Sequence, residues 1–267
     1  MKRLLVLLLL SQTGQLAQSP FDGTWIIVAN ATQLPQKPAE YLLANGMFRW
    51  GGTEIKADGT EQKVPETGYW DTISVRIVNE LTVEIISRKA GKTMFTEVDT
   101  VSTDGNTLTQ LVKDTTEAQA VEIETTSKRV DQGPAGAHAL SGSWQAHKVK
   151  RSENGSVIKY KCSDNGFSAE TPLGEKFDAK FDGKDYPVED DPAHTMVSVR
   201  RLSPNTIEQM NKRDGKVVGI LRLTVAPDGQ SIHVVYENKE ANTTTTSEMR
   251  KQAPSVCQEH AANCRSQ

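Results

Sequence analysis

The sequence predicts an all-β protein: two tandem small antiparallel up-and-down β-barrels after a signal peptide. Three observations carry this. The chain after its leader is written twice, its apolar residues alternate with polar ones, and Asp-Gly or similar turn pairs punctuate the alternation. Phe21-Asp22-Gly23-Thr24-Trp25 returns as Leu140-Ser141-Gly142-Ser143-Trp144, 119 positions later. Ile73-Ser74-Val75-Arg76 returns as Val197-Ser198-Val199-Arg200, and Gly91-Lys92 and Asp104-Gly105 return as Gly215-Lys216 and Asp228-Gly229, all at a spacing of 124. That period is far too long for a solenoid; each copy is long enough for its own core.

The chain opens Met1-Lys2-Arg3 followed by Leu and Val alone from Leu4 to Leu10. Two basic residues before a short apolar run are the pattern of a secretory signal peptide, expected over 1–17. The run is shorter than the roughly 20 residues a membrane-spanning helix needs, so the protein is expected to be secreted or periplasmic and not membrane-spanning. The net charge of −3 becomes more negative once Lys2 and Arg3 are removed, which disfavours nucleic-acid binding. Of three cysteines, Cys257 and Cys264 share the polar tail at 252–267 and are a disulfide candidate in an oxidising compartment. With His260 they make only a weak metal set, and no metal or cofactor is expected. Cys162 is expected to be a small buried apolar residue.

The copies are placed at 20–130 and 140–251, with the Gly-, Pro- and Ala-containing stretch 131–139 as a linker. Within them, Ile73, Val75 and Ile77 alternate with Ser74 and Arg76; Leu221, Leu223 and Val225 alternate with Arg222 and Thr224; Ile232, Val234 and Tyr236 alternate with His233 and Val235. Period two with β-branched residues marks half-buried strands. Asp58-Gly59, Ala90-Gly91, Asp104-Gly105, Asp182-Gly183, Asp214-Gly215 and Asp228-Gly229 supply the positive φ of tight hairpins. A meander of short strands hides its edges by closing into a barrel. Helix is expected to be minor, with a turn or two over Ala39–Ala44.

The opening Phe21-Asp22-Gly23-Thr24-Trp25 followed by a β-meander resembles the lipocalin and fatty-acid-binding class of barrels. The second copy, with Phe181-Asp182-Gly183-Lys184-Asp185-Tyr186-Pro187-Val188 and Ala226-Pro227-Asp228-Gly229, is also similar to exported bacterial lipocalin-like domains of unassigned function. The resemblance implies that Trp25 and Trp144 plug one end of each barrel under a basic side chain from the last strand. Lys128 or Arg129, and Arg250, stand at the matching places. A cation over an indole is favourable.

Phe48, Trp50 and Phe167 are candidates to line a cavity for an apolar ligand, although filling a small barrel is the preferred reading. Glu97 and Asp99 fall where Leu221 and Leu223 stand in the second copy. If the register is kept, two carboxylates point into the first barrel and create an interior polar site for a basic ligand or water. Slipping by one residue turns Met94, Thr96 and Val98 inward instead, and this is preferred, because buried charges are costly. Glu189-Asp190-Asp191 with His194 reads as a solvated turn, and Gly91-Lys92-Thr93 as a hairpin rather than a phosphate loop. No nucleophile–base pair is visible, so an enzyme is not expected. The leading expectation is non-catalytic binding of a small apolar or amphipathic molecule. The alternative is a surface or interaction protein with filled barrels that presents faces to a protein or glycan partner.

Overall fold

A computed structural model describes residues 19–65, 69–116, 120–171 and 174–253. The expected leader and the Cys257–Cys264 pair lie outside the described residues. The fold is all-β, two nearly closed ten-stranded antiparallel sheets. The strands in chain order are β1 (Gly23–Gln33), β2 (Ala39–Ala44), β3 (Met47–Trp50), β4 (Thr53–Lys56), β5 (Gln62–Lys63), β6 (Thr72–Asn79), β7 (Thr82–Lys89), β8 (Lys92–Val101), β9 (Thr107–Asp114), β10 (Val121–Gln132), β11 (Gly142–Arg151), β12 (Val157–Cys162), β13 (Gly166–Glu170), β14 (Lys176–Lys180), β15 (Tyr186–Pro187), β16 (Met196–Ser203), β17 (Thr206–Arg213), β18 (Lys216–Val225), β19 (Ser231–Asn238) and β20 (Thr243–Lys251).

The first barrel runs β4-β3-β2-β11-β10-β9-β8-β7-β6-β5 and the second β14-β13-β12-β1-β20-β19-β18-β17-β16-β15. The copies therefore exchange their opening strands. β11, which opens the second copy, lies between β2 and β10 of the first. β1, which opens the first copy, lies between β12 and β20 of the second. The first barrel is thus continuous over 39–151, while the second is β1 plus 157–251. This corrects the organisation expected from the sequence. The stretch 131–139 is not a linker between barrels but part of the β10–β11 hairpin connection. The chain crosses between barrels at 34–38 and 152–156. β10 and β11 pair as consecutive strands, which fills the slot β1 would have taken, and β1 occupies the equivalent slot in the other barrel.

Turns are built as the Asp-Gly pairs imply. Asp58, Asp104, Asp182 and Asp228 each accept a hydrogen bond from the backbone N–H two residues on, at 2.9–3.0 Å. Ala90-Gly91 and Asp214-Gly215 both have positive φ, the geometry of a two-residue hairpin. Gly91-Lys92-Thr93 accordingly lies at the β7–β8 hairpin. Ala39–Ala44 is a strand, not a helical turn. Its Ala and Leu are good helix formers, but propensity is a weak prior, and pairing on both sides with β11 and β3 overrides it.

The plugged ends repeat in both barrels. Trp25 and Trp144 are buried, and each indole N–H donates to the carbonyl four residues earlier, Phe21 and Leu140, at 2.8 Å. Arg129 lies 3.9 Å over the Trp144 ring. It donates to the carbonyls of Ser141 at 2.8 Å and Ala139 at 2.7 Å, and to that of Gly105. Over Trp25 the cation is Lys251, at 5.2 Å, not Arg250. Neighbouring side chains on a strand face opposite ways, and Arg250 is exposed. Both plugs join the last strand of one copy to the first strand of the other. Gly142 makes the first plug possible: at φ 126°, an added Cβ would sit 2.3 Å from the Asp131 carbonyl oxygen.

Arg129→Ala is expected to cost about 2–4 kcal/mol, because three carbonyls lose a charged donor. Lys251→Ala, which removes one cation–π contact, is expected to cost about 1 kcal/mol or less. Urea unfolding of both variants checks the order.

Candidate ligand-binding site

The inward face of β8 is decided by one extra residue. Phe95 pairs with Ser87 while Thr93 pairs with Arg88, so Met94 is a bulge between them. Beyond the bulge Phe95, Glu97, Asp99 and Val101 point inward, and Val98 is exposed. The second copy bulges at the matching residue, Val218, and turns Leu221 and Leu223 inward. The register is therefore kept. The preferred expectation of an inward Met94, Thr96 and Val98 is corrected: the bulge buries Met94 yet resets the alternation after it.

Glu97 lines a cavity of about 210 Å³ inside the first barrel. Its walls are largely aromatic: Tyr41, Phe48, Trp50, Trp70 and Phe95, completed by Thr53, Ile55, Ile73, Ile85, Ser87 and Val112. Tyr41 stacks on Phe48 with centroids 6.2 Å apart, and Trp70 meets Phe95 edge-on at 5.8 Å. Trp50 is 44% exposed, on the cavity's open side. Val101 belongs to the same packed cluster as Trp144, so along β8 the barrel runs from the wide cavity at Phe95, past Glu97 and Asp99, to the plugged end.

The deep end of the cavity is polar. Gln110 on β9 donates through its amide nitrogen to Tyr41 Oη at 3.2 Å and to Glu97 Oε1 at 3.1 Å. Asp99 is 1% exposed, and neither of its carboxylate oxygens meets a donor. Burial first, then the charge of Glu97, raises the Asp99 carboxyl far above the ordinary range. Burial raises Glu97 as well. Two coupled carboxyls in a dry interior do not both ionise, so at least one of the pair stays protonated. Burial likewise raises the Tyr41 phenol, which stays neutral.

The second barrel replaces this polar set. Glu97, Asp99 and Gln110 correspond to Leu221, Leu223 and Val234, while Tyr41 corresponds to Tyr160 and Phe48 to Phe167. Phe167 is fully buried and packs against Phe21, Tyr160 and Phe177, at 5.9, 5.2 and 6.1 Å between centroids. Among the candidates, then, Phe48, Trp50 and Glu97 meet at one cavity with Asp99 below them. Phe167 sits in the packed core of the other barrel. Tyr41, Trp70, Phe95 and Gln110 were not singled out from the sequence. The signal for Gln110 was present as a third polar-for-apolar exchange at the 124-residue spacing.

Two other sequence features are structural. Asp191 accepts backbone N–H bonds from Ala193 at 2.9 Å and Thr195 at 2.7 Å, which shapes the turn after Glu189. Cys162 is buried, with an Arg201 guanidinium nitrogen 2.9 Å from its sulfur.

No protein-family model matches the chain, and no curated protein matches it. Among the described residues no helix is long and apolar enough to cross a membrane. Two crystal structures of the vaccine antigen transferrin binding protein B from Haemophilus parasuis are similar in part. A double mutant shares 9% identity over 86% of this chain and 46% of that one, with a TM-score of 0.19. A single mutant shares 7% over 71% and 67%, with a TM-score of 0.18. The chain thus spans about half the length of the first of them, and likeness at these scores identifies neither a family nor a function.

Proposed function

We propose that this is an exported, non-catalytic, lipocalin-like binding protein whose first barrel holds a small amphipathic molecule. The observation that carries it is the aromatic-walled cavity of about 210 Å³ with a polar floor. Ligand sites are concave, mostly apolar and oriented by a few polar groups. Burying about 200 Å² of apolar ligand surface stabilises a complex by roughly 5 kcal/mol, before the cost of association is subtracted. Of the two buried carboxyls only Glu97 is among the wall residues, with Asp99 behind it, which favours holding a ligand over acid–base turnover. The basic and apolar opening of the expected leader over 1–17 supports export, with the site in the periplasm or outside the cell.

The filled interior of the second barrel supports a second, structural role for that half: it anchors β1 and presents its outer face. A surface or interaction role for the whole protein rests on that face alone.

Native mass spectrometry of the mature protein from its own host tests the proposal. A discrete added mass, lost on unfolding, is expected. Ser87→Met, which puts a flexible side chain into the cavity, is expected to remove it. A bare protein mass, together with no change in tryptophan emission across a panel of apolar and amphipathic probes, would sink the reading.

A further inference from the structure

We propose that the ligand is a small organic cation: a singly charged ammonium on a compact aromatic or aliphatic body, with the ammonium at Glu97, backed by Asp99, and the body between the aromatic walls. This rests on the binding role proposed above and names its ligand class.

The polar floor is short of donors. Gln110 spends its amide nitrogen on Tyr41 and Glu97. Apart from a carboxyl proton of the pair itself, neither oxygen of Asp99, 1% exposed, meets a donor in hydrogen-bond geometry among the described residues. The groups that act on the two carboxyls are Gln110 and the carboxyls themselves, all neutral or acidic. Buried carboxylates are ordinarily paired with a cation from the protein; here the interior supplies none among the described residues. What the floor lacks, an ammonium brings: a positive charge and several N–H donors. An ammonium beside Glu97 favours the ionised form of that carboxyl and is neutralised by it.

The walls agree with the floor. Tyr41, Phe48, Trp50, Trp70 and Phe95 offer electron-rich ring faces, which attract cations most strongly where water is excluded. A cavity of about 150 Å³ accepts benzene, so this one suits a body of roughly ten non-hydrogen atoms. A hard divalent cation fits poorly. It takes six or more oxygens, whereas two carboxyls and a Gln110 amide with its nitrogen turned toward Glu97 supply few.

The second barrel is the internal control. With Leu221, Leu223 and Val234 in the same three places it makes a nearly closed, packed barrel. The fold does not need the acids. Their place in the first barrel carries a desolvation cost that a bound cation offsets.

The test uses the full mature chain and three probes with one body and different ends: 2-phenylethylamine, 2-phenylethanol and 3-phenylpropionate. Affinities at pH 7 are read by calorimetry and by tryptophan emission from the cavity wall. The amine is expected to bind at least about 10-fold tighter than the alcohol, and the acid weakest of all. Glu97→Gln, which keeps shape and removes the carboxyl that lines the cavity, is expected to weaken the amine about 10-fold or more and the alcohol by much less, and Asp99→Asn, behind the wall, to weaken the amine less than Glu97→Gln does. An alcohol that binds as tightly as the amine overturns the cation inference and leaves the cavity's binding role standing. So does an amine that keeps its affinity in both variants. Failure of all three probes to bind, with the variants folded, overturns both.

Discussion

Residues 39–151, cut from the chain, are expected to fold alone as a cooperative β-barrel, whereas residues 20–130, a complete sequence copy, are not. The first fragment keeps every strand of the first sheet, from β2 to β11. The sequence copy lacks β11 and carries β1, whose partners β12 and β20 lie in the other half. Without β11, the facing edges of β2 and β10 lose their hydrogen-bonded neighbour. Leu140 and Trp144, both about 1% exposed, leave the core, and Arg129 loses its indole. Removing two large core side chains costs about 3–5 kcal/mol each, comparable to the whole stability of a domain this size. An open sheet edge adds a route to aggregation.

The mirror experiment is stronger. Residues 140–251 lack β1, and with it Phe21 and Trp25, both fully buried in the second core. That fragment is expected to be unfolded or aggregated alone and to recover a cooperative transition when a peptide spanning 19–38 is added in trans. Circular dichroism and urea titration read both experiments. A cooperative transition for 20–130 without added peptide, or for 140–251 without β1, would show that each copy can take back its own opening strand.

The strands were legible because alternation and turn chemistry are local. Leu221, Leu223 and Val225 on one face of β18, and the Asp228-Gly229 turn after it, lie as the sequence implies. The exchange was not legible, because the two opening motifs are nearly equivalent: Trp25 and Trp144 make the same indole hydrogen bond four residues back, and that motif does not say which barrel takes which strand. The same near-equivalence explains Lys251 in place of Arg250, since both are cations on one strand and only its pleat tells them apart. In the cavity, Glu97 and Asp99 were visible through the repeat. Tyr41 and Gln110 come from strands far apart in sequence, and no local pattern joins them. Cost alone pointed away from an inward Glu97 and Asp99; the Met94 bulge, one residue in one strand, decides the face.

The largest gain in stability is expected from making the first barrel's floor like the second's: Glu97→Leu, Asp99→Leu and Gln110→Val together. Burial holds the Asp99 carboxyl protonated in the folded protein well above the pH at which it ionises in the unfolded chain, near pH 4. Between those two points the folded state binds more protons than the unfolded, so stability falls as pH rises, by about 1.4 kcal/mol per pH unit for each proton held. The contribution is fully present below about pH 4 and drains away through neutrality. The triple variant has nothing to titrate there. It is expected to be more stable than the parent by about 2–4 kcal/mol at pH 7, by more at pH 8 and by less at pH 4, with that part of the pH slope gone. Tyr41 loses Gln110 as a partner, a loss the second barrel tolerates, since Tyr160 Oη has only the Met249 sulfur at 4.0 Å. Urea unfolding from pH 4 to 8 reads the result, with the single Asp99→Asn variant separating charge from packing: if charge is the cause, it recovers most of the gain at pH 7. A triple variant with the parent's slope would mean that the carboxyl pair is already solvated in the folded protein. Equal stability at every pH would mean that the acids cost nothing, and the argument that a ligand offsets their burial would fall with it. If the gain appears, the protein gives up stability at neutral pH to keep two acids at the floor of one barrel and not the other, which is what a site held ready for a cation requires.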